Sequence, residues 1–242
     1  MPYEKSIDRI GNRPGSRLQG WLARRLVEKF LLDAKGCTVL EIGTGVGRIA
    51  EQIVRRGHSY VGVEPTASLR EEAKTRLTAL GIIVDIIDDA LPELSRLQDR
   101  TFTHALALHV LEHAENPNSA AAWLSSIAAR IRPGGQILIV CPNFLDLRGH
   151  FFDVDWTHQW VSTTSRIAML GEELDLKVIE ETDLRGTIQN PIAKLPLGVL
   201  SRLIPTEFLN WVFRRFFGLR NFGSGIQSAI FWRMSWVVFQ KR

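Results

Sequence analysis

Three glycines at alternate positions interrupt the run Val39-Leu40-Glu41-Ile42-Gly43-Thr44-Gly45-Val46-Gly47, between an apolar segment and a helical pattern. Glycine tolerates positive φ and lets a ligand approach the backbone closely, and a helix start offers N–H groups without intrahelical partners. A dinucleotide loop would carry its third glycine where this chain has Arg48. Glu41 beside the loop would repel pyrophosphate and suits a ligand carrying a cationic ammonium group. Glu64, at the end of Tyr60-Val61-Gly62-Val63-Glu64, is placed to accept both hydroxyls of a ribose. Asp89, in Ile87-Asp88-Asp89-Ala90, is suited to accept from an adenine amino group; Asp88 is the alternative, and the small Ala90 favours Asp89.

These residues need elements that bring strand ends together. Ser16–Leu32 carries Leu18, Trp21, Leu22, Leu26 and Phe30 at helical spacing. Short apolar strands then alternate with helices: Thr38–Ile42, helix Arg48–Arg56, Ser59–Val63, helix Ser68–Leu80, Ile82–Ile87, Thr103–Leu108, helix Ser119–Ile131. Pro133-Gly134-Gly135 reads as a turn into a strand Gln136–Cys141. Such alternation predicts an α/β fold with a mostly parallel, doubly wound sheet covered on both faces. Beyond it come a loop Asn143–Ser162, a helix Thr164–Glu173, a strand Lys177–Thr182, an apolar insert Asn190–Phe217 and a final strand Ala229–Phe239.

At 242 residues, the chain fits one elaborated domain, divided into an N-terminal arm and helix (1–35), a ligand-binding core (36–142) and an acceptor-side region (143–242). Residues 1–15 read as an arm or lid. With 45% hydrophobic and 23% charged residues, global disorder is excluded. The net charge of +4 is uneven: Lys194, Arg202, Arg214, Arg215, Arg220, Arg233, Lys241 and Arg242 face only Glu207 after residue 186. This basic end suits an anionic surface or is a solvated face. Cys37 and Cys141 are too few and too distant for a disulfide framework. With no apolar signal region and no run of 18 apolar residues, the expectation is a cytoplasmic protein with peripheral membrane contact as a possibility through 190–217.

From Thr38 to Asn143 the chain resembles the class I S-adenosylmethionine-dependent methyltransferase family, in its methyltransferase-23/UbiG-like group. Val39–Gly47 resembles the first motif, Tyr60–Pro65 the ribose-binding acid, Asp88-Asp89-Ala90 the adenine-side motif, Phe102–His113 the fourth-strand motif and Arg132–Ile139 the entry to the fifth strand. The resemblance implies a Rossmann-like seven-stranded fold and S-adenosyl-L-methionine held by Glu41, Gly43, Thr44, Gly45, Gly47, Glu64, Asp89, Ala90 and His109.

Methyl transfer requires donor and acceptor held in line, and an oxygen acceptor usually needs a base, a role suited to histidine. Of the six histidines, His58 is expected at the surface and His104 and His113 in structural roles. Asp155 to His158 resembles the Asp-x-x-His stretch of the methyltransferase-23-like group, and Ser162-Thr163-Thr164 its helix start. His158 is therefore the first candidate base and His109 the second, with a packing role on Trp160 the alternative for His158. Phe151, Phe152, Trp156 and Trp160 either line an acceptor pocket or anchor the loop. No metal-ligand spacing is evident. The function expected is O-methylation of a small-molecule, glycan or lipid-linked acceptor. The alternatives are N-methylation, or a non-catalytic nucleoside- or membrane-binding protein; nucleic acid is disfavoured as a partner, since no base-flipping or appended binding motif is present.

Overall fold

A computed structural model describes residues 16–149, 151–152, 155–185, 206–217 and 233–242. The expected arm over residues 1–15, His150, and most of the 190–217 insert lie outside these residues. The element order is α1 (Ser16–Phe30), β1 (Thr38–Ile42), α2 (Arg48–Val54), β2 (Ser59–Val63), α3 (Ala67–Ala79), β3 (Asp85–Ile87), β4 (Phe102–Leu108), α4 (Pro117–Ala129), β5 (Ile131–Pro142), α5 (Phe144–Leu147), α6 (Thr164–Glu173), β6 (Leu176–Arg185), α7 (Thr206–Phe217) and β7 (Arg233–Lys241). The strands form one sheet in the order β3-β2-β1-β4-β5-β7-β6. The first five are parallel, and β7 runs antiparallel to both neighbours.

Alternation of side chains in strands buried on both faces produces the continuous apolar runs read in the sequence. Ile137, Ile139 and Cys141 of β5 join one core layer, with Leu40, Ile42, Leu124 and Ile167. Leu138 and Val140 join the other, with Val27, Ile53 and Leu77. Thus α4 and α6 cover one face and α1, α2 and α3 the opposite one. Helix starts follow local chemistry: the Asn116 side chain accepts from Ser119 N at 3.0 Å ahead of Pro117, and Thr163 accepts from Arg166 N at 3.2 Å.

Three expectations are corrected. The third strand begins at Asp85 rather than Ile82, because Ile82 is drawn into the α3 side of the core and its N–H closes on Leu77 O at 2.9 Å. Pro133-Gly134-Gly135 does not precede β5 but lies within it. There the register against β4 shifts between Phe102 and His104, and Gly134 takes φ 77°. A Cβ on Gly135 would lie 2.6 Å from Thr103 O, so the bulge needs a glycine. His58 is buried, not at the surface. Its Nδ1 accepts from Cys37 N at 3.2 Å, supplying a partner for a backbone donor just ahead of β1, and burial pulls its pKa down.

Candidate active site

The loop after β1 is stitched to the end of β2. Gly43 N and Thr44 N both donate to Val63 O, at 2.8 and 3.2 Å. Gly43, Gly45 and Gly47 take φ of 77°, 52° and 75°, which side-chain-bearing residues adopt only with strain. Each glycine has its own constraint. A Cβ on Gly43 would stand 2.8 Å from Val110 Cγ2, beyond the exit of β4. One on Gly47 would stand 2.9 Å from Leu77. Among the described residues, a Cβ on Gly45 would meet nothing within 4 Å, so this side of its backbone is open to them. Gly47 also begins α2 without a side-chain cap, leaving the helix's first amides to other acceptors.

Glu64 projects from the tip of β2 toward this loop. Its two carboxylate oxygens accept from Gly45 N at 2.9 Å and Thr66 N at 3.0 Å. A carboxylate offers about four acceptor positions, so lone pairs remain on both oxygens. Arg70 donates to Glu64 O at 2.7 Å and pairs with Asp88 at 2.9 Å, tying the tips of β2 and β3 together. Asp89 accepts from Ala90 N at 2.9 Å and from Arg96 N at 2.6 Å, fixing the turn beyond β3. The two adjacent acids therefore divide their work: Asp88 braces Arg70, whereas Asp89 shapes the backbone where the adenine side was expected.

Glu41 lies beneath the loop. It is buried, and its carboxyl group receives the Tyr60 O–H in a short hydrogen bond. Thr44 Oγ1 is 3.0 Å from the same phenol oxygen. The single phenolic proton goes to Glu41, so Thr44 donates to Tyr60. Burial pushes the Glu41 pKa up to about 8, against the lowering effect of the Tyr60 hydrogen bond, and the nearby Glu64 charge pushes in the same direction as burial. Tyr60 is a residue the sequence reading missed. Its signal was the Tyr60-x-Gly62 pair on one face of β2, because a Cβ on Gly62 would collide with both Thr44 Oγ1 and the Tyr60 hydroxyl.

The tip of β4 carries His109, an exposed residue with φ 56°. A non-glycine residue in this region is uncommon and costs energy. It is held by its N–H to Val140 O at 2.9 Å and by Nδ1 to Glu112 Oε1 at 3.1 Å. Glu112 is fully buried in the single turn of 3₁₀ helix Leu111–His113. Desolvation by the surrounding protein works against charge on His109, as full burial does on Glu112, yet their mutual attraction prevails: the His109 pKa is raised and that of Glu112 lowered.

The segment 155–162 is laid across this turn. Gln159 N and Trp160 N both donate to Glu112 O, at 2.9 and 3.1 Å, and Ser162 Oγ donates to Pro142 O at 2.8 Å. His158 is consequently buried. Its Nδ1 lies 2.7 Å from Phe151 O, and its ring centroid lies 4.7 Å from that of Phe151 and 5.1 Å from that of His113. Burial is the main cause of its lowered pKa. The four aromatic residues separate: Phe151 and Trp160 anchor the segment in the interior, and Phe152 and Trp156 stay exposed. One group, unseen in the sequence because His158 lies far along the chain from Glu112 and His113, gathers here. Glu112, His113 and His158 each place a ligand atom within 4.8 Å of the others.

The family described as methyltransferase domain matches residues 16–181. Among curated proteins, the ubiquinone biosynthesis O-methyltransferase of Rhizobium etli is 28% identical over 190 residues, 72% of this chain and 75% of that protein. Its namesake from Rhodopseudomonas palustris strain TIE-1 is 27% identical over 175 residues, 68% of this chain and 67% of the relative. Among solved structures, a SAM-dependent methyltransferase from Archaeoglobus fulgidus superposes with TM-score 0.63 at 18% identity, covering 94% of this chain and 97% of the other. The N-methyltransferase NodS from Bradyrhizobium japonicum, in complex with S-adenosyl-L-homocysteine, gives 0.60 at 13% identity, covering 96% and 90%.

Proposed function

The chain belongs to the methyltransferase domain family and is an S-adenosylmethionine-dependent methyltransferase; within that activity, we propose that it methylates a hydroxyl oxygen with His109 as the base. The residues present fit the cofactor. Glu64 retains lone pairs for a ribose diol, Glu41 is an acid that a nearby ammonium would favour in its charged form, and the open face of Gly45 leaves room against the backbone. Asp89 and Ala90 would border the adenine. When bound, the cofactor supplies a methyl group made electrophilic by its sulfonium.

The observation that carries the base assignment is the His109–Glu112 pair. With Nδ1–H donated to the buried carboxylate, Nε2 bears the lone pair that takes a proton from the acceptor hydroxyl. Glu112 stabilises the imidazolium that results and fixes the ring's tautomer. His109 displaces His158 as first candidate because His109 is exposed at a strand tip, whereas His158 is enclosed. Replacing His109 by Gln should abolish most turnover while leaving S-adenosylhomocysteine affinity within a few-fold. Unchanged turnover would refute the base and favour N-methylation.

For the acceptor, we infer a small ring hydroxyl on an apolar carrier, in preference to a glycan. The support is the name shared by the curated relatives together with α7, which exposes Phe208, Trp211 and Phe216 beside Arg214 and Arg215. Interleaved aromatic and cationic side chains suit the interface of an anionic bilayer. Among the described residues no helix is long and apolar enough to cross one, so the contact proposed is peripheral, made from the cytoplasmic side. Labelled methyl transfer to an isoprenoid-substituted catechol, compared with a polyprenyl-linked glycan, tests the acceptor; transfer to the glycan alone would overturn the inference.

A further inference from the structure

Glu112 poses a problem that the base assignment leaves unsolved. Its Oε1 holds His109, but its Oε2 is buried and meets no hydrogen-bond partner among the described residues. The buried thiol of Cys141 borders this carboxylate. An ionised carboxylate with an unsatisfied oxygen in the interior is costly. Two imidazoles converge on the same place.

The hydrogen bonds around those imidazoles fix their tautomers. His158 Nδ1 faces the carbonyl of Phe151, an acceptor only, so it carries the proton and Nε2 carries the lone pair. Thr157 Oγ1 donates to Asp155 Oδ1 at 2.7 Å and has no second proton to give. His113 Nδ1, 2.8 Å from that hydroxyl, is therefore the donor, and the His113 lone pair is also on Nε2. An imidazole whose other nitrogen donates to a carbonyl, or to a hydroxyl backed by a carboxylate, is the arrangement that surrounding residues impose on metal-binding histidines.

We propose that Glu112, His113 and His158 bind one divalent transition-metal cation of the zinc class. Two imidazole nitrogens and one carboxylate oxygen are a donor set suited to zinc, with the fourth tetrahedral position left to water. Magnesium and calcium are disfavoured, since both prefer oxygen-only surroundings. The cation neutralises the unsatisfied oxygen and clamps the 111–113 turn to residues 155–160. Because Glu112 also orients His109, His113 and His158 become positioning residues for the site. The cation's presence does not depend on His109 being the base.

The test uses tag-free full-length protein, stripped with a chelator and titrated with Zn2+ or Co2+ alone. We expect one equivalent to bind, a rise in Tm, and the intense visible absorption of tetrahedral Co2+. His158→Gln and Glu112→Gln should each weaken binding by about 100-fold or more, while His104→Gln, away from the cluster, should leave it unchanged. Stripped protein that still binds S-adenosylhomocysteine but takes up neither cation overturns the proposal, as does equal uptake by the His158 and Glu112 variants. If those variants do not fold, the wild-type titration decides: weak octahedral Co2+ absorption or absent uptake refutes the site. Cation binding with full turnover by His109→Gln would retain the metal site and discard the base, so the two failures are distinguishable.

Discussion

Two buried glutamates, one on each side of the active-site edge, differ in charge although both are withdrawn from water. Glu41, at the proposed cofactor side, is hydrogen-bonded by the Tyr60 phenol and lies near the Glu64 charge, and burial lifts its pKa to about 8. Glu112, at the acceptor side, has His109 and His113 as neighbours, and its pKa falls below the usual carboxylate range. Burial alone therefore does not set the state of an acid; its partners do. The proposed cofactor side holds a neutral acid that would gain charge beside a cation. The proposed acceptor side holds a charge that orients His109.

The most severe way to break the comparison is to remove the proposed base. His109→Gln should lower kcat by about 10²- to 10⁴-fold with little change in cofactor Kd, measured by methyl transfer and calorimetry. Replacing the orienting acid sharpens it: because Glu112 raises the His109 pKa, Glu112→Gln should move the acid limb of the kcat–pH profile to lower pH. A limb that stays in place would uncouple the pair. On the cofactor side, Glu64→Ala should weaken S-adenosylhomocysteine binding by about 100-fold, the loss of one or two charged hydrogen bonds. Equal affinity would remove Glu64 from the ribose site.

Smaller effects concern stability. Gly43→Ala imposes a positive φ on alanine and presses Cβ against Val110, which should cost about 1–3 kcal/mol, read from denaturant midpoints. Glu41 predicts a pH dependence. Its folded pKa exceeds the unfolded value, so the folded state binds more protons, and stability should fall as pH rises from 4.5 to about 8. Glu41→Gln should flatten that slope in the ligand-free protein. Smallest of all, Trp211→Ser on the exposed face of α7 should change stability by less than about 0.5 kcal/mol while reducing binding to anionic vesicles.

How far the sequence could be read follows from the same contrast. On the proposed cofactor side, the candidate contacts come from backbone and from strand-tip acids, so Gly43, Gly45, Gly47 and Glu64 stand within two short motifs. Their spacing is imposed by local geometry: a strand end, a positive-φ turn, a helix start. Helix α6 was also legible, since Thr163 caps it within one turn. The acceptor side was less legible. His158 was visible as a histidine of interest, but its enclosure by Phe151 and His113 depends on where residues 155–160 settle.

By itself, then, the sequence determined the alternating strands and helices, the buried faces of the sheet and the nucleoside-binding loop, because these depend on neighbours one to four positions apart. Tertiary structure decided the insertion of β7 between β5 and β6, the burial of His58, the exposure of His109 and enclosure of His158, and the meeting of Glu112, His113 and His158. Those outcomes depend on contacts across tens of residues, where packing and partner chemistry, rather than spacing, select which groups meet and which carry charge.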